Sequence, residues 1–425
     1  MTGIKDIYQH YLSASGVTTD SRNIHIGNLF FALRGDHFDG NKFAAQALDM
    51  GASIAIIDNK DYQSDDRCIL VEDSLSTLQE LARYHRKTLN IPFIGLTGTN
   101  GKTTTKELIH RVLSQKYNTH ATKGNFNNHI GVPLTILDIR DEAEIAVIEM
   151  GANHQGEIAM LSEITDPDYG IITNIGKAHL EGFGDYEGVI KSKTELYAHM
   201  LRKKGTVIVN GDDDLLMQLS TGINRITYGT DNASLAHAKI TSSLPFLNIQ
   251  WKEHLIKTHL YGEYNFENVM AALCVGLIFD VKPDEIARAL SDYIPDNNRS
   301  QMIKSGTRLI FMDAYNANPS SMIASIRNFE KQEAANKVLI LGDMLELGES
   351  SGEEHRNIIL ELEGKFDLVI LIGNEFIKST PPPSMKTFTN TVSAAEWLKQ
   401  HTPSDSSILL KGSRGMEMEL LLDVL

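Results

Sequence analysis

The sequence predicts an α/β protein of three domains, with parallel β-sheets in the central and C-terminal domains. At 425 residues the chain is long for a single hydrophobic core. Short apolar runs alternate with segments of helical spacing, as they do where helices cover a parallel sheet. A glycine-rich loop joins one such run directly to a helix. We expect domains at residues 1–90, 91–297 and 298–425, the last a smaller, doubly wound Rossmann-like sheet.

Composition and charge restrict the class of protein. Hydrophobic residues make up 42% and charged residues 22% of the chain, as in soluble globular proteins. The net charge of −15 argues against nucleic acid or an anionic membrane as a partner. The two cysteines, Cys68 and Cys274, indicate no disulfide framework. Because the N-terminus has no apolar signal core and residues 269–279 are too few to span a bilayer, we expect a cytoplasmic protein.

In the first domain the pattern predicts a short α/β unit. The strands are residues 28–33 and 52–58, and the helices are residues 43–50 and 74–89. We expect Ser74 to cap the second helix. Polar turns at residues 20–22 and 34–40 lie beside the strands. From the residues alone they are solvated loops, and no catalytic constellation is visible.

The central domain begins with the glycine-rich loop Thr-Gly-Thr-Asn-Gly-Lys-Thr-Thr at residues 97–104. Gly98 and Gly101 allow a tight turn that brings backbone N–H groups close to an anion, and the following helix adds its N-terminal N–H groups. Lys102 supplies a point charge for phosphates, and Thr103 a hydroxyl that can ligate magnesium. The common phosphate-loop pattern requires glycine at position 96, which is leucine here. The alternative is a glycine turn that only caps a helix, but the position of the loop favours nucleotide binding.

Two further strands of this domain are predicted to end in side chains that could serve the same crevice. The run at residues 145–149 ends in Glu149, a hard oxygen ligand for magnesium, or else a solvated acid at a strand end. The run that starts at residue 169 ends in His179, which could ligate a metal or be structural. Since parallel strands gather ligands at their carboxyl ends, we expect both residues beside the phosphate loop.

Three other segments of the central domain carry polar side chains whose roles the residues leave open. Residues 122–135 hold a dense set of amides and glycines that a plain linker does not need. Lys191 and Lys193 lie on a predicted helix, where their spacing alone indicates a solvated face. Asn265 and Asn268 share one face of the next helix and could read an adenine edge or merely cap that helix.

The C-terminal domain follows a polar turn at residues 296–299. Its predicted strands are residues 309–312, 337–342, 367–373 and 407–412. Polar loops follow them, at residues 313–322, 342–349 and 411–414. No G-x-G-x-x-G motif follows a strand, which argues against a dinucleotide-binding domain.

Taken together, these motifs resemble the Mur ligases, ATP-dependent amide-forming enzymes of bacterial peptidoglycan assembly. The resemblance is carried by T-G-T-N-G-K-T-T-T, Glu149, N-I-G-K-A-H and G-x-x-N-x-x-N. The motifs K-G-N-x-N-N-x-I-G-x-P-L-T, D-A-Y-N-A-N-P-S-S-M, L-G-D-M-L-E-L-G-E and K-G-S-R narrow it to the ligase that adds a dipeptide. With T-D-S-R and L-F-F-A-L-R-G-D-x-x-D-G in the first domain, it covers nearly the whole chain.

The resemblance implies a role for individual residues. The N-terminal domain would bind the UDP end of the substrate, with Ser21 and Arg22 near the nucleotide. ATP would be held by Gly98, Thr99, Asn100, Gly101, Lys102, Thr103, Thr104, Asn268 at adenine, Arg299 at the phosphates and Asp313 at the ribose. Magnesium would be held by Thr103, Glu149, His179 and Lys193. Catalytic roles would fall to Lys102, His179 and Lys193, the last as a carbamylated lysine supporting a second Mg²⁺, although Thr194 stands where the family has glycine. Candidates for substrate and dipeptide contacts are Asn127, Asn128, Lys411 and Arg414.

The implied reaction adds D-alanyl-D-alanine to UDP-N-acetylmuramoyl-tripeptide through an acyl phosphate, with ATP and two Mg²⁺, in a monomer. One alternative is a related ligase that adds a single amino acid to the stem peptide or acts as a folylpolyglutamate synthetase. Another is a nucleotide-gated binding module without ligase activity. The C-terminal loops favour the dipeptide ligase over the first alternative. Glu149, His179 and Lys193 together argue against the second.

Overall fold

The computed structural model describes residues 3–296 and 298–425 and is an α/β fold, as predicted. Its N-terminal elements are α1 (Ile4–Ser13), β1 (Gly16–Thr18), β2 (Asn28–Phe31), β3 (Arg34–Gly35), β4 (Phe38–Asp39), α2 (Ala44–Asp49), β5 (Ile54–Ile57), β6 (Cys68–Leu70) and α3 (Ser74–Thr88). The sheet is parallel, in the order β1-β2-β5-β6, and β3 and β4 form a separate hairpin. The predicted cap of α3 is wrong: the Asp73 carboxylate accepts from the Ser76 N–H, and Ser74 is the buried first residue of the helix. Aspartate one position earlier has the extended backbone that a cap needs.

The central domain contains a seven-stranded parallel sheet and a small antiparallel one. Its elements are β7 (Phe93–Thr97), α4 (Lys102–Leu113), β8 (Thr119–Ala121), α5 (Gly131–Leu137), β9 (Ile145–Glu149), α6 (Glu157–Thr165), β10 (Tyr169–Ile172), α7 (Leu180–Phe183), α8 (Tyr186–Lys203), β11 (Thr206–Asn210), α9 (Asp214–Leu219), β12 (Asn224–Gly229), β13 (Ala236–His237), β14 (Lys239–Ser242), β15 (Asn248–Trp251), β16 (His254–Lys257), α10 (Phe266–Ile278) and α11 (Pro283–Ser291). The strand order is β13-β12-β11-β10-β7-β9-β8. β7 therefore lies between β9 and β10, and the carboxyl ends of these three strands meet where the winding direction reverses.

The C-terminal domain is a six-stranded sheet with helices on its faces. Its elements are β17 (Gln301–Ser305), β18 (Arg308–Asp313), α12 (Pro319–Glu330), β19 (Asn336–Gly342), α13 (Ser351–Leu362), β20 (Leu368–Ile372), α14 (Asn374–Lys378), β21 (Lys386–Phe388), α15 (Thr391–His401) and β22 (Ser406–Lys411). The order is β17-β18-β22-β19-β20-β21, parallel except for β17. The four predicted strands are the inner ones, which are the most apolar.

The N-terminal and central domains are joined by a buried contact at the end of α3. Arg86 is 7% exposed, and its guanidinium lies 3.8 Å from the centre of the Phe93 ring. It donates to the backbone oxygens of Thr165 and Asp166, at 2.9 and 2.8 Å. A charge buried this far from water is held by several acceptors at once, so the two domains are fixed against each other here. Among the described residues, no helix has the length and apolar character needed to cross a membrane.

Candidate active site

The phosphate loop connects β7 to α4, and its two glycines are required by the backbone. Gly98 has φ +145° and Gly101 φ +78°. A Cβ atom at Gly98 would lie 2.0 Å from the Thr173 hydroxyl, and one at Gly101 would lie 2.3 Å from the Asn268 side-chain oxygen. Both positions therefore exclude any side chain. The half-buried Lys102 curls back over the loop and donates to the carbonyl oxygens of Gly98 and Thr99, at 2.8 and 2.9 Å.

Burial lowers the pKa of Lys102 to about 8. The Glu149 carboxylate opposes this decrease, and the Arg299 charge adds to it. Desolvation disfavours the ammonium form, so a nearby anion stabilises it. The loop thus offers a lysine whose positive charge is favoured when a phosphate binds.

Glu149 ends β9 and faces Thr103, the second residue of α4. Its side chain is buried, at 1% exposure. One carboxylate oxygen accepts from the Thr103 hydroxyl at 3.2 Å and from the Asn127 amide at 2.8 Å. The other, Oε2, is buried and has no hydrogen-bond partner in the part of the chain that the structure describes. An orphaned carboxylate oxygen beside a threonine hydroxyl is the donor set that a hard cation such as Mg²⁺ takes, so these residues fit the metal.

The loop after β10 differs from the prediction. The strand ends at Ile172, not at His179, and residues 173–178 carry the chain along the phosphate loop. His179 is the N-cap of α7 at φ +50°, and its Nδ1 lies 2.6 Å from Glu346 Oε2 of the C-terminal domain. Repeated isoleucines made the apolar run look longer than the ladder, which ends at Ile172 where it pairs with Thr97.

Lys193 also differs from what its spacing indicates. It lies on α8 with 2% of its surface exposed, whereas Lys191 is exposed. The Lys193 amine is 5.1 Å from the centre of the Phe183 ring. Burial, and after it the Lys102 charge, lowers the pKa of Lys193 to about 7. The solvated-face interpretation is therefore wrong for Lys193, because α8 packs this side against α7.

The C-terminal domain contributes an ion pair and a stacked arginine to the same cleft. Asp313 at the end of β18 accepts from Lys411 at the end of the neighbouring β22, at 2.6 Å, and Lys411 is 1% exposed. The Arg299 guanidinium lies 3.6 Å from the centre of the Tyr315 ring, and its buried Nε has no hydrogen-bond partner among the described residues. Lys411 is thus held by Asp313, and the described residues leave one Arg299 N–H for a ligand.

The phosphate loop contacts this domain directly through Asn100. The Asn318 amide donates to Asn100 Oδ1 at 2.7 Å, and the Asn100 amide donates to the Ser320 hydroxyl at 3.1 Å. On the other side, Asn268 accepts from the Thr105 hydroxyl at 3.0 Å and donates to Asn265 at 2.8 Å. The capping interpretation of the asparagine pair is wrong, because Asn265 stands at the N-cap of α10 but its side chain makes no capping hydrogen bond. Asn268 braces α4 and borders the cleft, which leaves the adenine contact as a prediction.

These groups line one cleft of about 730 Å³ between the central and C-terminal domains. The predicted residues on its walls are Thr99, Asn100, Gly101, Lys102, Thr103, Thr104, Asn127, Asn128, Glu149, His179, Asn268, Arg299, Asp313 and Lys411. Five predicted residues are not on its walls: Ser21, Arg22, Gly98, Lys193 and Arg414. Arg22 pairs with Asp20 in an exposed turn of the N-terminal domain, and Arg414 pairs with Glu419.

Several residues on the cleft walls were not among the predicted site residues, and those of the C-terminal domain include Tyr315, Asn318, Ser320 and Glu346. They lie in two motifs of the C-terminal domain, D-A-Y-N-A-N-P-S-S-M and L-G-D-M-L-E-L-G-E. Spacing along the chain could not show which of these side chains reach another domain. In the described chain, no three His, Cys, Asp or Glu side chains are close enough to hold a metal by themselves. A cation here would therefore complete its ligand shell with phosphate oxygens and water, as Mg²⁺ commonly does.

Comparison with known families matches all three parts of the chain. The "Mur ligase family, catalytic domain" model matches residues 13–86, the "Mur ligase middle domain" model residues 96–276, and the "Mur ligase, glutamate ligase domain" model residues 298–414. These ranges correspond to the parts of the chain that form the four-stranded, the seven-stranded and the six-stranded sheet.

Individual relatives agree with this. The chain is 37% identical to the UDP-N-acetylmuramoyl-tripeptide–D-alanyl-D-alanine ligase of Bacillus subtilis, over 95% of this chain and 91% of that one. A crystal structure of MurF from Acinetobacter baumannii superposes with a TM-score of 0.87 at 31% identity, covering 99% of this chain and 97% of that one. The crystal structure of MurF from Thermotoga maritima in complex with ADP superposes with a TM-score of 0.86 at 28% identity, covering 97% of this chain and 97% of that one. The chain belongs to the Mur ligase family, and within it to the MurF ligases.

Proposed function

We propose that this protein is an ATP-dependent ligase that joins D-alanyl-D-alanine to UDP-N-acetylmuramoyl-tripeptide in peptidoglycan precursor synthesis. The observation that carries the proposal is the cleft, in which the phosphate loop, Glu149 with its free oxygen and the polar strand ends of the C-terminal domain face one another. The activities named for its MurF relatives supply the substrates.

In the first step the terminal carboxylate of the tripeptide attacks the γ-phosphorus of ATP. The bond from that phosphorus to the bridging β–γ oxygen breaks, which gives an acyl phosphate and ADP. Lys102 and Arg299 would neutralise the charge that builds up on the phosphate oxygens, in a cleft where solvent screening is reduced. We assign the adenine to Asn268 and the ribose to Asp313.

In the second step the amine of D-alanyl-D-alanine, having lost a proton, attacks the acyl carbon. The tetrahedral intermediate collapses as the carbon–oxygen bond to phosphate breaks, so an amide forms and inorganic phosphate leaves. The C-terminal domain closes the cleft on one side, which keeps water from competing for the acyl group. We propose substrate or dipeptide contacts for Asn127, Asn128 and Lys411, and more distantly for Arg414.

Thr103, Glu149 and His179 would hold Mg²⁺, which would neutralise negative charge on the bound phosphates. We further propose that Lys193 is carbamylated. Its low pKa leaves much of the amine neutral near pH 7, and a neutral amine can form a bond to the carbon of CO₂ and release a proton. The product is an anion that would support a second Mg²⁺.

We infer the domain boundaries 1–90, 91–297 and 298–425, which contain the matched family ranges. The first of these domains would bind the UDP end of the substrate, with Ser21 and Arg22 near the nucleotide. We also propose a cytoplasmic monomer that uses ATP as its energy source.

Phosphate release tests the proposed function. Purified protein is mixed with ATP, Mg²⁺, UDP-N-acetylmuramoyl-tripeptide and one amine acceptor at a time. We expect release with D-alanyl-D-alanine that exceeds release with any single amino acid at least tenfold. Preference for a single amino acid would replace the dipeptide ligase by a related ligase. ATP binding without release for any acceptor would indicate a binding module.

A further inference from the structure

The segment from Thr173 to His179, which we call the bridge loop, touches the phosphate loop at one end and the C-terminal domain at the other. At its inner end, the Thr173 hydroxyl donates to the Asn100 carbonyl at 2.6 Å. Asn174 accepts from the Asn100 N–H at 3.0 Å, and its carbonyl accepts from the Thr99 N–H at 2.9 Å. The position of the bridge loop therefore sets the path of the phosphate loop.

At its outer end, the bridge loop meets the C-terminal domain at two residues: His179, whose contact with Glu346 is described above, and Lys177. The Lys177 amine donates to Glu354 on α13 at 2.8 Å. The Glu354 side chain is 7% exposed, whereas that of Lys177 is 52% exposed. This hydrogen bond and the Glu354 charge raise the pKa of Lys177. A carboxylate buried this deeply needs its cation, so separation of the domains must either carry Lys177 along or leave Glu354 without its counter-ion.

We propose that Lys177 and Glu354 form a positioning pair. Through the bridge loop, this pair makes the conformation of the phosphate loop depend on the position of the C-terminal domain. Neither residue borders the cleft, so the pair acts through the loop rather than on a reacting atom. The proposal rests on the proposed function, in which the cleft must close for the ligase reaction.

A second ion pair between the same two domains provides a matched control. Lys331, the residue that follows α12, has its amine 2.7 Å from a Glu263 carboxylate oxygen, and the two side chains are about half exposed, at 54% and 46%. Among the described residues, neither side chain of this pair forms a hydrogen bond with the bridge loop. Exposed pairs of this kind contribute little to stability because water screens them.

The test is a double-mutant cycle with K177M, E354Q and the double variant, together with the charge swap K177E/E354K and the control K331M. Initial rates of phosphate release are measured with the three substrates, and thermal unfolding checks the fold. We expect each single variant to lower kcat about tenfold, which corresponds to about 1.4 kcal/mol. The double variant should be no worse than either single variant, the swap should recover at least half of the lost rate, and K331M should stay within about twofold of wild type.

A second measurement separates failure of this inference from failure of the proposed function. Small-angle scattering in the presence of Mg²⁺ and ATP reports the radius of gyration of the whole chain without any need for turnover. We expect K177M and E354Q to be more expanded than wild type and K331M to match it. Independent effects of the two single variants on kcat, or unchanged radii in both, would overturn the positioning pair even if wild type is fully active. If wild type shows no activity, the radii still test the pair.

Discussion

Replacing Glu149 with glutamine should separate stability from function. The wild-type carboxylate is 1% exposed, and one of its oxygens has no partner. In E149Q the amide oxygen still accepts from Thr103 and Asn127, while a buried negative charge is removed. We therefore expect the metal-free variant to be as stable as wild type or up to about 1 kcal/mol more stable.

When Mg²⁺ and ADP are bound, we expect the wild type to be the more stable of the two proteins. With MgADP at a hundred times its dissociation constant, the wild type gains about 2.7 kcal/mol. For a domain of this size that is a rise of about 5–10 °C in Tm. E149Q should gain no more with Mg²⁺ and ADP than with ADP alone, and its kcat should fall at least a hundredfold, as expected for loss of a metal ligand.

The assay is differential scanning calorimetry of both proteins with ADP, with and without Mg²⁺, alongside phosphate release. D138N is a suitable control, because Asp138 is an exposed acid that pairs with Lys123 outside the cleft. A metal-free E149Q that melts well below wild type and keeps its Mg²⁺-dependent activity would show that Glu149 is a structural acid, and the reasoning would be refuted.

Three further predictions concern the lysines around the phosphate loop. K102A should abolish phosphate release while leaving the circular dichroism spectrum and Tm of the metal-free protein close to wild type; near-normal turnover would remove the phosphate-loop assignment. The folded-state pKa of Lys193 is depressed to about 7, so the neutral amine dominates above pH 7 and declines tenfold per unit below it. Activation of CO₂-depleted enzyme by added bicarbonate should therefore be half-maximal near pH 7, and activation that is independent of pH between 6 and 8 would contradict it. Lys106 is 1% exposed and donates to the Thr122 carbonyl at 2.6 Å, and the Thr122 hydroxyl accepts from the Glu149 N–H. K106M should lower the free energy of unfolding in urea by about 1–3 kcal/mol, because that carbonyl loses its donor; an unchanged unfolding midpoint would show that water replaces the lysine.

Much of the fold follows from local patterns. The inner strands are continuous apolar runs, and buried strands on parallel sheets are the easiest to find. Short edge strands such as β17 and β21 bury little, so the chain gives them no comparable signal. The small antiparallel sheet of β14, β15 and β16 also escaped prediction, because its half-exposed strands mix polar and apolar residues.

The site was predictable wherever its residues follow a strand or a glycine turn. Lys102, Thr103 and Glu149 have such a position, and the structure brings them together. Lys193 could not be found by spacing, because a buried lysine and an exposed one look alike on a helix until the packing partner is known. Glu346 and Asn318 reach the central domain from another sheet, and that arrangement depends on how the domains pack. The pattern marked their loops as polar segments after strands, but it could not show which side chains of those loops reach the cleft.

The Arg86 contact has a consequence for inhibitor design. Because Arg86 fixes the N-terminal domain to the central one, the gap between the turn at Arg22 and the phosphate loop has a set length. With the UDP end bound at that turn, as proposed above, a rigid tether of that length between a uridine group and a phosphate mimic would lose little further freedom on binding. Affinity should therefore be highest at one tether length and fall for tethers that are shorter or longer.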